Sequence, residues 1–183
     1  MERKILILCA VAIVSIMSLS ALVIQLMRPT PAQGIRGVLI NPMRTGSYDA
    51  WFGMESGAID LGATYTDNIY VNTGTSKIGA YSFTITYDPT VIQVDLSQGE
   101  DGAEPGADGF VAAANMRGSG SYIVNGFDAY GKGPSFNLHL VTLHWKAVGK
   151  GTTDLRLEIN SLTDETGEEL GDKDSFSCTR IVS

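Results

Sequence analysis

His139 and His144 are the only imidazoles in the chain. Five positions apart on an alternating segment, they point to opposite faces of a strand unless a bulge intervenes. A metal centre needs further ligands at matching spacing, and the surrounding sequence offers none, so both read as surface or rim residues and no metal is assigned. Two acidic stretches, Glu100-Asp101-Gly102-Ala103-Glu104 and Asp164-Glu165-Thr166-Gly167-Glu168-Glu169, hold the oxygen ligands that hard cations prefer. Neither follows the Asp-x-Asp-x-Asp-Gly pattern, so they read as solvated turns, with structural calcium as the alternative. Glycoside hydrolysis needs two carboxylates about 5–10 Å apart across a cleft, and no spacing here sets up such a pair. There is no Gly-x-Ser-x-Gly elbow, phosphate loop or dinucleotide fingerprint. No catalytic residue and no cofactor is assigned, and the chain reads as a non-enzyme. Trp51, Trp145, Tyr122 and Tyr130 would stack on sugar rings if exposed in a row, although Trp145 falls in the core phase of its segment.

The elements that would position these residues are strands. Tyr81, Phe83, Ile85 and Tyr87 alternate with Ala80, Ser82, Thr84 and Thr86, a period of two rich in aromatic and β-branched residues. Asp88-Pro89 ends that strand in a turn, and Val91, Ile92 and Val94 begin the next. Further β segments are predicted over 58–71 (broken near Gly62), 110–115, 121–127, 136–148, 154–159 and 176–182, separated by glycine-rich connectors. In 136–148 the apolar phase changes from even (Phe136, Leu138) to odd positions (Val141, Leu143, Trp145), which predicts a bulge near Leu140. About eight to nine short strands and no amphipathic helix beyond the N-terminus predict an all-β sandwich.

The first residues differ in kind. Glu2, Arg3 and Lys4 precede a run of apolar and small residues from Ile5 to Met27, closed by Arg28-Pro29. As a helix it would extend roughly 34 Å, enough to cross a hydrocarbon core of about 30 Å. It therefore reads as a transmembrane anchor over 1–28. A cleaved secretory signal is the alternative, with Ile5–Met17 as its core. Both readings place residues beyond about 35 outside the cytoplasm, on a single-pass membrane protein or a secreted one. Residues 29–48 read as a Pro- and Gly-containing linker, in which 35–40 could form a short edge strand, and 49–183 as the domain. Cys9 falls in the apolar run and Cys178 in the domain, so no intrachain disulfide is expected. Past residue 34 there remain 10 basic and 19 acidic side chains, a formal net charge of −9. Such a domain repels nucleic acid and anionic lipid, and no nucleic-acid partner is expected.

The segment Lys77-Ile78-Gly79-Ala80-Tyr81-Ser82-Phe83-Thr84-Ile85-Thr86-Tyr87-Asp88-Pro89-Thr90-Val91-Ile92-Gln93-Val94 resembles the cohesin family, as do Leu140–Val148 and Gly151–Gly167, in that order along the chain. The likeness covers about residues 49–183. It implies a nine-stranded jelly-roll sandwich of immunoglobulin-like type that captures a dockerin, a small calcium-loaded module. It places the partner on the outward face of the strand carrying Ala80, Ser82, Thr84 and Thr86. Cohesins carry an Asn and an Asp where this chain has Ala80 and Ser82, which puts recognition of a conventional dockerin in question. Two other readings stay open: a carbohydrate-binding module for cell-wall or extracellular polysaccharide, and a structural subunit of a surface layer or appendage.

Overall fold

The computed structural model describes residues 36–39 and 49–183; the expected N-terminal helix lies outside the described residues. Thirteen strands run in chain order among them: β1 (Arg36–Leu39), β2 (Ala50–Phe52), β3 (Met54–Ile59), β4 (Thr64–Val71), β5 (Ile78–Thr86), β6 (Ile92–Val94), β7 (Ala103–Pro105), β8 (Ala113–Gly118), β9 (Ser121–Lys132), β10 (Leu138–Ala147), β11 (Gly151–Thr163), β12 (Ser175–Phe176) and β13 (Cys178–Val182). The count exceeds eight to nine because several short pieces of two to four residues (β1, β2, β7, β12) add to the long strands. Backbone pairing recruits such pieces without the side-chain alternation that marks long strands. β1 falls within the stretch whose composition reads as linker.

One sheet has the order β1-β3-β13-β11-β5-β9-β8, and the other β12-β2-β4-β10-β6, with β7 also pairing with β10. Pairing is antiparallel except for β13 with β3 and β12 with β2. The inward faces of both sheets contribute to one apolar core, so the domain is an all-β sandwich. β5 buries Tyr81, Phe83 and Ile85; β9 buries Tyr122 and Val124; β10 buries Leu143 and Trp145; β11 buries Leu155, Leu157 and Ile159. Gly126, opposite Tyr81 on β9, is required by this packing: a Cβ there would overlap the rings of Tyr81 and Phe110.

β10 carries the predicted bulge. Its register with β4 shifts between His139 and Val141, and Leu140 and Val141 are both fully buried. The extra residue turns His139 onto the same outward face as His144, so the two histidines share a side.

A charged pair crosses the core. Arg180 of β13 is fully buried and points inward, where its Nη2 donates to Oδ1 of Asp67 on β4 and its Nε to Oδ2 at 3.3 Å. Arg180 Nη1 also donates to the carbonyl of Thr179 at 3.0 Å. Burial pushes the Asp67 carboxyl up, against the opposing pull of Arg180. Burial acts most strongly on the guanidinium and opposes its charge, but Asp67, Cys178 and Tyr65 together more than offset it, so the group is held charged. Burial likewise raises the neighbouring Tyr65 phenol and Cys178 thiol, with Asp67 adding to both.

Candidate partner-binding face

Ala80, Ser82, Thr84 and Thr86 lie on the outer face of β5, in the phase opposite to Tyr81, Phe83 and Ile85. β5 is central in its sheet, with β11 on one side and β9 on the other. Ala80 and Ser82 are half-buried, Thr86 is exposed, and Thr84 is only 7% exposed. The register defines rows across this face. Thr163, Ala80 and Phe127 form one row; Ser161, Ser82, Asn125 and Ala113 the next; then Glu158, Thr84, Ile123 and Asn115. Arg156, Thr86 and Ser121 follow.

Neighbouring strands thus supply residues that reading β5 alone misses. Phe127 is 69% exposed and stands beside the small Ala80. Asn160 sits where the β11 register with β5 shifts, between Ile159 and Ser161. Its Nδ2 donates to Thr84 Oγ1 at 2.9 Å and to Ser82 Oγ at 3.2 Å. The outward phase of 121–127 (Ile123, Asn125, Phe127) was a signal in the sequence, since two of its three residues are apolar. At the end of this face Thr86, Asp88, Asp154 and Arg156 border an open polar hollow of about 280 Å³.

The other predicted candidates are scattered. Trp145 is in the core, edge-on to Tyr87 with ring centres 5.0 Å apart, and Tyr122 is buried with its hydroxyl donating to the Asp101 carbonyl at 2.8 Å. Trp51 faces outward from the other sheet yet is 3% exposed, stacked on Tyr70 at 6.1 Å. Tyr130, 87% exposed, belongs to β9. Trp51 and Tyr130 lie on different sheets and form no row for a sugar chain.

The histidines pin the segment between β6 and β8. His139 Nδ1 accepts from the Ala107 N–H at 3.2 Å, its Nε2 faces Thr142 Oγ1 at 3.1 Å, and Thr142 donates to Asn68 Oδ1 at 3.2 Å. An acceptor at Nδ1 places the ring proton on Nε2. His144 Nε2 lies 3.0 Å from Glu104 Oε1, an ion pair whenever the imidazole is protonated. Among the described residues no three His, Cys, Asp or Glu side chains are grouped to hold a metal ion. The acidic turn at 164–169 uses its carboxylate internally. Asp164 Oδ1 accepts from the Thr166 N–H, the Thr166 hydroxyl and the Glu168 N–H at 2.7–3.0 Å. The Thr166 hydroxyl foremost holds that carboxyl below its ordinary value.

These features define a β-sandwich whose seven-stranded sheet has an outer face with small and uncharged residues on β5, bordered by Glu158 and Arg156 of β11. No protein-family model matches the sequence, and no curated protein sequence does. Solved structures do match the fold. The non-cellulosomal cohesin from the archaeon Archaeoglobus fulgidus superposes with a TM-score of 0.58 at 15% identity, over 73% of this chain and 89% of its own. CaCohA2 from Clostridium acetobutylicum gives 0.58 at 14% identity, over 74% and 92%. The type I cohesin–dockerin complex Coh-OlpA-Doc918 from Clostridium thermocellum gives 0.60 at 11% identity, over 73% and 99%. The described domain has the cohesin fold.

Proposed function

We propose that this chain is a non-catalytic, extracytoplasmic binding module that captures a dockerin-type protein on the outer face of β5 and its neighbours. The observation that carries the reading is the match of the domain to cohesins, one of them solved as a cohesin–dockerin complex. The face itself is consistent with it: Ala80 and Ser82 allow close backbone approach, and the rows from β11 to β8 offer a broad surface for a partner burying roughly 800 Å² per side. The apolar run Ile5–Met27 supports tethering to a membrane, with the domain outside the cytoplasm.

The test is capture. The full-length chain, immobilised in detergent, is offered secreted and membrane fractions of its own organism with and without calcium. Recovery of a dockerin-bearing protein, lost on chelation, supports the reading. Recovery of polysaccharide or of the chain itself retires it.

A further inference from the structure

We infer that His139 is a proton-operated latch: uptake of a second proton by its ring undocks the Gly106–Gly109 turn from the β10 bulge, while β7 stays seated through His144 and Glu104.

The turn leads from β7 to Phe110. It is closed by the Gly109 N–H, which donates to the Gly106 carbonyl at 3.1 Å. A Cβ on Gly106 would overlap the His139 carbonyl, and one on Gly109 the Leu140 carbonyl, so glycine lets the turn lie flat on the bulge. Three donors of the turn reach β10. Gly106 N–H donates to the Leu140 carbonyl at 3.0 Å, Asp108 N–H to the His139 carbonyl at 3.4 Å, and Ala107 N–H to His139 Nδ1 at 3.2 Å. Only the last of these acceptors can take up a proton. Phe110, next in the chain, packs on Tyr81 and accepts from its hydroxyl at 2.5 Å, which confines the movement to the turn.

The His139 ring is committed at both nitrogens. Thr142 gives its hydroxyl proton to Asn68, so its oxygen accepts from Nε2–H, and the Nδ1 lone pair is taken by Ala107. A second proton can enter only at Nδ1, where it points at the Ala107 N–H. The imidazolium cannot keep that bond. Undocking frees the His139 and Leu140 carbonyls at the edge of β10 for another donor.

The surroundings set the direction. β4 contributes the Tyr70 phenol, its ring centre 5.1 Å from the imidazole, and Trp51 of β2 stacks behind it. Burial holds the docked ring below the ordinary imidazole value, opposed by the Asp108 carboxylate on the turn and then by the Val141 backbone. His144 meets different groups. Its Nε2 lies 3.0 Å from Glu104 Oε1 without the alignment of a hydrogen bond, and Asp95 is within Coulombic reach of both His144 and Lys146. A proton on His144 adds attraction to Glu104, so acid grips β7 as it frees the turn.

The experiment follows amide protection by NMR in the full-length chain in detergent, from pH 7.5 to 4.5, with exchange corrected for the intrinsic effect of pH. Each pH unit by which the docked ring titrates below a free imidazole makes undocking about tenfold easier in acid. Protection of the Ala107 amide should therefore fall by about 10-fold or more, in step with the His139 ring signals. The His144 amide, which donates to the Gly102 carbonyl at 2.9 Å, should keep its protection. His139→Gln supplies a neutral acceptor and donor and should hold Ala107 protected throughout. Asp108→Asn removes the carboxylate that favours the imidazolium and should move the loss to lower pH. Four results would each overturn the inference: Ala107 protection that survives titration of the ring, a ring that stays neutral to pH 4.5, an equal loss in His139→Gln, or joint loss at the His144 amide.

Discussion

Arg180→Met removes the one charge that, among the described residues, faces Asp67 across the core, and leaves a carboxylate that is 3% exposed without its partner. Breaking a buried pair in this way costs about 3–5 kcal/mol, because the remaining charge keeps its desolvation penalty. With a urea slope near 2 kcal/mol/M for a domain of this size, the unfolding midpoint should fall by roughly 2 M. The raised Asp67 carboxyl shows that burial already outweighs the help it receives from Arg180. Replacing both partners, Asp67→Leu with Arg180→Met, should therefore recover most of the loss and end within about 1–2 kcal/mol of the parent. The single Arg180→Met variant should also enlarge a pH dependence that the parent already has, because the parent's Asp67 carboxyl is raised as well. With the guanidinium gone only burial acts, so the folded carboxyl lies above its unfolded value and the folded state binds the proton more tightly. Its stability should rise as pH falls through the folded value. Urea titrations at pH 7.5 and 5 measure both effects. A double variant whose loss equals the sum of the two single losses would refute the coupling across the core.

His139 gives the opposite sign. Burial, only partly offset by Asp108, lowers its folded value, so its neutral ring favours folding in full above the ordinary imidazole pKa. That contribution should fade as pH falls below the ordinary value and be gone below the folded one, and His139→Gln should flatten this part of the pH–stability curve. Cys178 is buried and its thiol is pushed up by burial, then by Asp67. It should react with a disulfide reagent at pH 8 only as fast as the domain opens, which labelling across a urea series checks. Gly126→Ala forces a methyl against Tyr81 and Phe110 and should cost about 1–3 kcal/mol in a urea titration.

The period of two in Ala80–Tyr87 and the phase change in 136–148 were enough to orient β5 and to locate the bulge at Leu140. Both are local signals, set by which side chains a strand must bury. What the sequence left open is pairing between distant strands. Phe127 and Asn160 belong to the candidate face only because β9 and β11 flank β5, and nothing in their own segments names that neighbour. The cross-core pair was legible in part. Arg180 falls in phase with Cys178 and Val182, and Asp67 with Tyr65 and Ile69, so each strand advertised a charge on its buried side. The short strands β2 and β7 escaped because three residues are too few to show alternation.

Two arginine substitutions in the full-length chain separate capture on the outer face of β5 from capture elsewhere. Ser82→Arg projects a large charge from the centre of the β5 face, and Thr66→Arg does the same from the exposed outer face of β4 on the other sheet. Binding of each to the captured dockerin-bearing protein is measured by calorimetry, with thermal midpoints as the control for folding. Ser82→Arg should abolish binding, and Thr66→Arg should leave it unchanged. Binding that survives Ser82→Arg and is lost with Thr66→Arg would contradict capture on the β5 face.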